Sequence, residues 1–224
     1  MAVEADEPAG MKETPLWWDD VPPPDIPRQE PPATADVAIV GSGYTGLNAA
    51  LETARGGRST VVFDAESAGW GCSSRNGGQV STSIKPSLEA LARRHGAERA
   101  QAIHDEGAAS LAWIKDFIAR EKIDCDFRQC GRFHAAHTPQ AYDTLMRKGA
   151  PLTKGDDPIA VAVPRSEQRR ELGSDHYYGG VVYPHHAVLH PAKYHKGLLD
   201  RARQAGAQVI PHCPVLAIER DGKG

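Results

Sequence analysis

The feature that most restricts how this chain can fold is a set of three glycines, Gly41, Gly43 and Gly46, between two apolar segments. Residues 36–40 (DVAIV) are a short apolar run bounded by glycine, which predicts a buried parallel strand. Residues 45–55 contain good helix formers and end before a Gly-Gly pair, which predicts a helix and its stop. Residues 59–63 return as a second apolar strand. The pattern predicts an α/β fold that begins with a Rossmann-like βαβ unit.

The spacing of residues 41–46 (GSGYTG) is the G-x-G-x-x-G pattern of dinucleotide-binding sites, in the strand-to-helix context that such sites require. We expect Gly41 to allow the tight turn and Gly43 to leave room for a pyrophosphate beside the backbone. We expect Gly46 to let the helix pack closely on the strand. Tyr44 and Thr45 are candidate binding residues within the same pattern, next to the start of the helix, whose first N–H groups have no internal partner and attract phosphate.

Asp64 ends the second predicted strand, 18 residues beyond Gly46, where an acid accepts both ribose hydroxyls of an adenosine. An ordinary glycine turn is the alternative explanation of the glycines alone. Strand, glycines, helix and carboxylate together favour a dinucleotide. An aspartate in place of a basic residue argues against the 2′-phosphate of NADP. These residues leave open whether the dinucleotide is FAD or NAD.

Residues 65–85 are rich in glycine, serine and asparagine without periodicity, which predicts a long loop of the kind that carries function. Its segment 69–80 (GWGCSSRNGGQV) follows the ribose carboxylate. Backbone N–H groups there could lie against phosphate or an extended ring system, with a positive charge beside them. A flexible glycine loop is the alternative. The candidate binding residues of this loop are Ser73, Ser74, Arg75, Asn76, Gly77, Gly78 and Gln79.

The rest of the chain reads as helices and short strands. We expect, in chain order, two helices within 86–122 that break near Gly96, a hairpin of 124–129 with 132–136, a helix at 139–148, a strand at 177–183, a helix at 191–205 and a strand at 208–210. Residues 215–220 alternate as a further strand, and Asp221-Gly222 is a hairpin turn signal two residues before the end. Because a strand cut at its turn leaves an unpaired edge, we expect an incomplete chain.

The first 34 residues differ from the rest in composition. Eight acids against two bases give residues 1–30 a net charge of −6, and eight of the 17 prolines precede Thr34. Proline lacks the backbone N–H and has a fixed φ, so we expect an extended arm. Trp17 and Trp18 are large apolar rings within it, and we expect them to lie on a domain surface.

Several function classes are disfavoured by composition. A formal net charge of −3 gives no reason to expect nucleic acid or an acidic membrane surface as partner. The four cysteines form no C-x-x-C pair, and no signal peptide or membrane-spanning segment is apparent, so we expect a soluble cytoplasmic protein. The histidines His185, His186, His190 and His195 lack a familiar ligand spacing. We expect them to be loop or capping residues, and we expect no metal site.

The run from Ala35 to Gln79 resembles the opening of FAD-dependent oxidoreductases of the D-amino-acid oxidase and glycine oxidase type. It is most similar to the bacterial gamma-glutamylputrescine oxidase branch, as are the WWDD segment of the arm and residues 190–194 (HPAKY). The resemblance implies an FAD-binding Rossmann-like domain interleaved with an α+β substrate domain that carries a large antiparallel sheet. Members of this family are much longer, so the resemblance covers their amino-terminal half.

The resemblance also implies where FAD would lie. The pyrophosphate is expected on residues 41–46, the ribose on Asp64, the adenine near the backbone of Val215 and the flavin side at residues 73–79. Arg75 is the candidate for stabilising the reduced flavin, and no catalytic residue is assigned. In the family, flavin accepts hydride from the carbon that bears the amine, and O2 or another acceptor reoxidises it. The imine then hydrolyses to an aldehyde or keto acid and ammonia.

We therefore predict an FAD-dependent oxidoreductase that acts on the CH–NH group of a small amine or amino acid, present as an incomplete chain. The predicted division is an arm (1–34), an FAD-binding βαβ unit with its flavin loop (35–85), a helical and substrate-domain segment (86–190) and a return to the FAD-binding domain (191–224). Two alternatives stay open: a catalytically inactive nucleotide-binding fragment and an NAD-binding Rossmann module.

Overall fold

The structure is a computed structural model that describes residues 10, 12–82, 84–147, 152–154 and 157–220. The chain divides into two compact units. Unit 1 combines Met1–Gly77 with His190–Gly224, and unit 2 is Gly78–Leu189.

The elements follow one another in chain order and are labelled here for later use. They are α1 (Trp17–Asp20), β1 (Val37–Val40), α2 (Tyr44–Arg55), β2 (Thr60–Phe63), β3 (Gln79–Val80), α3 (Leu88–His95), α4 (Ala97–Glu121), β4 (Arg132–Ala135), α5 (Pro139–Arg147), β5 (Leu152–Lys154), β6 (Asp157–Val163), β7 (Gly180–Tyr183), β8 (Ala187–Val188), α6 (Pro191–Gln204) and β9 (Gln208–Ile210). Short 3-10 helices lie at Cys72–Ser74 and Arg165–Arg170.

Unit 1 is built on a three-stranded parallel sheet in the order β1-β2-β9. β2 is the middle strand, and the first three of its four residues are buried, as an uninterrupted run of β-branched residues predicts. Helix α2 connects β1 to β2, and α6 precedes β9. The two helices pack against each other, and α2 also packs on β1 and β2. The observed βαβ unit confirms the Rossmann-like α/β prediction.

The core of unit 1 comes from the apolar faces of these helices and from strands β2 and β9. Its fully buried side chains include Leu47, Leu51, Val62, Tyr194, Leu198, Leu199 and Ile210. Helix α6 begins with proline in its first turn, and His190 is its N-cap: Nδ1 of His190 accepts a hydrogen bond from the Lys193 amide at 3.2 Å. The prediction of a capping histidine is confirmed at this position.

Unit 2 combines a four-stranded antiparallel sheet in the order β4-β7-β6-β5 with the pair β3-β8. Helices α3 and α4 pack together, and α5 packs beside β7. The break between α3 and α4 lies at Gly96, whose φ is +84°. The predicted two-helix division of residues 86–122 is therefore confirmed.

Four expectations about local structure differ from the structure. The prediction of a hairpin between residues 124–129 and 132–136 is wrong, because β4 pairs with β7, and Arg128 forms an isolated bridge with Val188. Residues 215–220 form no regular strand, and the predicted turn at 221–222 lies outside the described residues. The strand predicted at 177–183 is shorter, since regular pairing begins at Gly180.

The fourth difference concerns segments predicted to lack regular structure. The loop at 65–85 contains the 3-10 turn Cys72–Ser74 and the strand β3, and the arm contains the four-residue helix α1. Short turns of this kind depend on contacts with residues distant in sequence, which composition does not reveal.

Candidate functional site

The glycine turn of unit 1 has the geometry that its spacing predicts. Gly41 has φ +94°, a left-handed conformation that residues with a Cβ rarely adopt. Its amide donates to the Phe63 carbonyl at 2.7 Å, which extends the β1-β2 pairing into the turn. A Cβ added to Gly46 would lie 2.0 Å from the Gly41 carbonyl oxygen and 3.2 Å from Cγ2 of Ile39. The first turn of α2 therefore approaches the end of β1 as closely as a residue without a side chain permits.

The N-terminus of α2 already binds an oxygen acceptor. Gly43 is the N-cap and has extended backbone angles, and the Tyr44 amide donates to Oγ of Ser73 at 3.1 Å. A Cβ on Gly43 would lie 3.0 Å from the same hydroxyl oxygen. An acceptor therefore occupies the position at which the positive end of a helix attracts a phosphate oxygen. This brings Ser73 of the predicted flavin loop to the glycine turn.

Tyr44 and Thr45 differ in what their side chains do. The Tyr44 hydroxyl donates to the Pro191 carbonyl at 3.2 Å, and its ring lies edge-on to Tyr194 at 5.0 Å between centroids. Tyr44 thus joins α2 to the start of α6. Thr45 is exposed on the first turn of α2.

Asp64 lies at the end of β2, and its carboxylate contacts the glycine turn directly. Oδ2 accepts from the Ser42 amide at 2.8 Å and from the Ser42 hydroxyl at 2.5 Å. Oδ1 accepts from the Glu66 amide at 3.1 Å. A carboxylate has about four lone-pair sites, so these three bonds leave one of them for a further donor. The Asp64 carboxylate is therefore joined by two hydrogen bonds to Ser42, the second residue of the glycine turn.

His195 supports the same turn from α6. It is 2% exposed, and its Nε2 lies 2.7 Å from the Ser42 carbonyl oxygen, to which a protonated Nε2 donates. Burial lowers the pKa of His195 below its usual value, although the Ser42 carbonyl and the Asp64 charge oppose that shift. The ring is consequently neutral near pH 7, with its proton assigned to Nε2. Ser42, Asp64 and His195 together fix the backbone of the glycine turn.

The tryptophans of the arm contact the loop at residues 69–76. The indole N–H of Trp17 donates to the Asn76 carbonyl at 2.8 Å, and that of Trp18 donates to Oγ of Ser74 at 2.8 Å. The Ser74 hydroxyl in turn donates to the Gly69 carbonyl. The arm therefore lies on unit 1, as the two apolar rings predict, and contacts the loop that carries the candidate flavin residues.

Arg75 points its guanidinium at aromatic rings of the same surface. Its Cζ lies 4.3 Å from the ring centroid of Trp70 and 5.7 Å from that of Trp18, within cation–π distance of both. The residue is exposed. A role for Arg75 in stabilising a reduced flavin stays a prediction.

The other candidate residues are distributed over both units. The Asn76 side chain donates to the carbonyls of Cys72 and Ser73 at 3.2 Å, and Gly77 ends the first segment of unit 1. Gly78 and Gln79 belong to unit 2, where Gln79 pairs with Val188. Val215 follows β9 in an irregular segment of unit 1 and is 38% exposed.

The contacts of three site residues were not predicted from the sequence, and the expectation of a loop or capping residue is wrong for His195, which lies within α6. Ser42 is buried at 1% exposure and bonds both Asp64 and His195. Its position as the second residue of the glycine pattern was a usable signal. His195 and the Trp17 indole act over 153 and 59 residues of sequence separation, so no local pattern could identify their partners.

The described residues contain no group of three or more histidine, cysteine or acidic side chains that could hold a metal ion. Among the helices that the structure describes, none combines the length and hydrophobicity needed to cross a membrane.

Comparison with known proteins agrees with the residues assembled at the turn. Residues 36–224 match the family described as FAD dependent oxidoreductase (DAO). The gamma-glutamylputrescine oxidoreductase of Escherichia coli K12 is 31% identical over 186 residues, which are 83% of this chain and 43% of that protein. A probable oxidoreductase, OrdL, of Rhizobium meliloti is 33% identical over 190 residues, which are 84% of this chain and 44% of that protein. The chain thus spans less than half the length of these relatives.

Solved structures share the fold. Glycine oxidase from Geobacillus kaustophilus superposes with a TM-score of 0.67 at 21% identity, covering 85% of this chain and 50% of that one. L-Amino acid deaminase from Proteus myxofaciens gives a TM-score of 0.64 at 21% identity, covering 88% of this chain and 43% of that one. With the family match over residues 36–224 and the glycine turn in place, the chain belongs to the DAO family of FAD-dependent oxidoreductases.

Proposed function

We propose that unit 1 binds FAD with its pyrophosphate at the N-terminus of α2, as part of an oxidoreductase that acts on the CH–NH group of a small amine or amino acid. The observation that carries this proposal is the close approach at Gly46 together with the acceptor bound at the Tyr44 amide. Both are what a phosphate-binding turn requires: backbone without side chains in the way, and N–H groups directed at an oxygen.

The residues present fit the cofactor of the family. A Cβ on Gly41 would meet nothing within 4 Å, so the space beside this residue is open, and the Ser73 hydroxyl marks an oxygen position at the helix end. Asp64 retains one lone-pair site beyond its bonds to Ser42 and Glu66, so full bidentate contact with a ribose would require the Ser42 hydroxyl to rotate away. FAD, when bound, supplies a ring that accepts two electrons and a proton equivalent from substrate.

The contribution of this chain to such a reaction is binding and orientation. Ser42, Asp64 and His195 fix the turn, and the Trp17 and Trp18 indoles fix the loop at 74–76. A site whose supporting residues are already bonded to one another loses little entropy when the ligand binds. The amine class of substrate is supported by the names of the relatives, one of which is an oxidoreductase of gamma-glutamylputrescine and another a glycine oxidase.

The position of the rest of the cofactor, the electron acceptor and the localisation are also proposals. The adenine is placed near Val215 and the flavin side near residues 73–79. The electron acceptor is O2 or another oxidant, and cytoplasmic localisation remains a prediction. A nucleotide-binding segment without turnover and an NAD-binding module are the competing functions. The NAD-binding module is distinguished by which nucleotide the purified chain binds, and the inactive segment by the absence of turnover when FAD is bound.

The test is a titration of the purified full chain with FAD and, separately, with NAD, followed by flavin absorbance and fluorescence. We expect FAD to bind and NAD to bind at least tenfold more weakly, a difference of about 1.4 kcal/mol. A Cβ on Gly43 would already lie 3.0 Å from Oγ of Ser73, so the larger side chain of Gly43→Val would crowd the position proposed for the pyrophosphate. This variant should bind FAD at least tenfold more weakly.

Ala49→Val is the control, because it introduces a valine on the exposed face of the same helix, away from the glycine turn. It should leave FAD affinity unchanged. Equal FAD binding by the Gly43→Val variant, with native circular dichroism, would remove the pyrophosphate from this turn. Binding of NAD in preference to FAD would replace the proposal by the NAD module. If FAD binds, a panel of amines and amino acids with O2 or a dye acceptor tests turnover.

A further inference from the structure

Unit 2 contains a cavity that the proposed FAD site does not use. Its volume is about 480 Å3, within the range of roughly 300–1,000 Å3 found for small-ligand pockets. One wall is a single face of α4, where residues from Gln101 to Lys115 recur at spacings of three and four. The rest of the lining includes Phe127, Ile159 and the turn that precedes β8. All lining residues belong to unit 2.

His186 lines this cavity and has an unusual hydrogen-bonding state. It is 4% exposed, and its ring stacks on Tyr183 at 4.9 Å between centroids. The Thr82 amide donates to Nε2 at 3.5 Å, and the Thr82 hydroxyl lies 3.2 Å from the same nitrogen. Nδ1 is buried and has no hydrogen-bond partner among the described residues. A buried polar atom left without a partner costs about 1–3 kcal/mol, so it calls for a ligand or another explanation.

The state of Nδ1 follows from the contacts of Nε2. A backbone amide can only donate, so Nε2 accepts, and a neutral ring then carries its proton on Nδ1. Burial lowers the pKa of His186, and the charges of Arg132 and His185 lower it further, so the ring is neutral near pH 7. The unpartnered group is therefore an N–H donor, which an acceptor would satisfy.

A cation lies at the same cavity. Nζ of Lys115 donates to Oε1 of Gln129 at 3.2 Å, and Nε2 of Gln129 lies 3.4 Å from Nδ1 of His185. Lys115 has three N–H donors, so its bond to Gln129 leaves it able to bind an anion. Between the polar groups, Leu111 and Phe127 provide apolar surface. Asp105 is the acidic residue of the lining, and its Oδ1 accepts a hydrogen bond from the side-chain amide Nε2 of Gln101 at 2.8 Å.

We propose that this cavity binds a small carboxylate with an apolar body. The carboxylate would accept from Nδ1–H of His186 and from the Lys115 ammonium, and the apolar body would lie against Leu111 and Phe127. An ammonium ligand fits less well, because the buried unpartnered group is a donor and cannot accept a second donor. The site takes no residue from the glycine turn, so the test below does not depend on FAD binding.

The experiment is a titration of the full chain with sodium hexanoate and with its neutral isostere hexanamide, using NMR with 15N-labelled histidine rings. We expect hexanoate to bind at least tenfold more tightly than hexanamide and to shift the Nδ1 resonance of His186. Lys115→Met, at an exposed residue whose loss should not affect folding, should remove most of that preference. Arg94→Met removes an exposed positive charge of α3 outside the cavity and is the matched control. It should leave the preference for hexanoate over hexanamide unchanged.

A second variant tests the cavity itself. Leu111→Trp adds ring volume to the apolar wall and should abolish binding of both compounds, with native circular dichroism verifying the fold. The proposal is overturned if hexanamide binds as tightly as hexanoate, or if Lys115→Met and Leu111→Trp both bind hexanoate like the parent chain. It is also overturned if hexanoate produces no saturable shift, the result expected if this face is covered by polypeptide instead of a small molecule.

Discussion

Replacing Gly46 by alanine tests whether the close approach of α2 to β1 is required by the turn. The added Cβ would lie 2.0 Å from the Gly41 carbonyl oxygen, and contacts below 3.0 Å essentially never occur for real Cβ atoms. Helix and strand would therefore have to separate by at least about 1 Å. The atom in the way is backbone, which cannot rotate aside as the end of a side chain can.

The magnitude follows from two opposing contributions. Overpacking of this kind costs typically about 1–3 kcal/mol, and a backbone contact belongs at the upper end. Alanine has the higher helix propensity and returns up to about 1 kcal/mol. We expect Gly46→Ala to lower the free energy of unfolding by about 2 kcal/mol, a large share of the 5–15 kcal/mol typical of a domain.

The assay is urea unfolding followed by circular dichroism, with hydrogen exchange to localise the loss to the β1 and α2 amides. Gly71→Ala is the matched control in the same unit, because its Cβ would meet nothing within 4 Å and its φ is −72°. It should change stability by no more than about 0.5 kcal/mol. If Gly46→Ala proved as stable as Gly71→Ala, the argument from close approach would be refuted.

Two further outcomes are expected. Trp18→Phe keeps an aromatic ring, smaller than the indole, but removes the N–H that donates to Ser74. The substitution should cost about 0.5–1.5 kcal/mol and speed proteolytic cleavage near Ser74, whereas Trp113→Phe in unit 2 should leave the cleavage rate unchanged. Burial lowers the folded-state pKa of His195 below its usual value of about 6.5, so the unfolded chain takes up the proton first. Above about pH 6.5, His195 should therefore not lower the free energy of unfolding. Between that pH and the folded-state pKa, the free energy of unfolding should fall as the pH drops, by at most about 1.4 kcal/mol per pH unit. His195→Asn should have a shallower dependence, and an unchanged slope would contradict the neutral, buried assignment of the ring.

The first βαβ unit could be read from sequence because its signals are local. The structure places β1, α2 and β2 within one residue of the predicted bounds, and Gly41 has the positive φ that the turn requires. The break at Gly96 and the start of α6 at Pro191 depend likewise on a single residue's backbone preference. Asp64 could be placed at the turn because it ends the strand beside it.

Strand pairing in unit 2 could not be read in this way. The segments at 124–129 and 132–136 have a plausible hairpin between them, yet β4 pairs with β7, which lies far along the chain. Several strands of similar apolar pattern compete for each partner, and the choice depends on packing of the whole sheet. The alternating pattern at 215–220 likewise forms no strand in the described residues, because alternation predicts a strand only where a partner is available.

The sequence by itself determined the βαβ unit, its glycine turn, the acid at the end of β2 and the family to which these belong, because each is specified by residues adjacent along the chain. Tertiary structure alone decided that Ser42 bonds both Asp64 and His195, and that the Trp17 and Trp18 indoles contact the loop at 74–76. It also decided that His186 lines a cavity and has a buried Nδ1 without a partner among the residues that the structure describes. The physical reason is that a hydrogen bond depends on position in space, and residues far apart in sequence reach one another only after the core has packed.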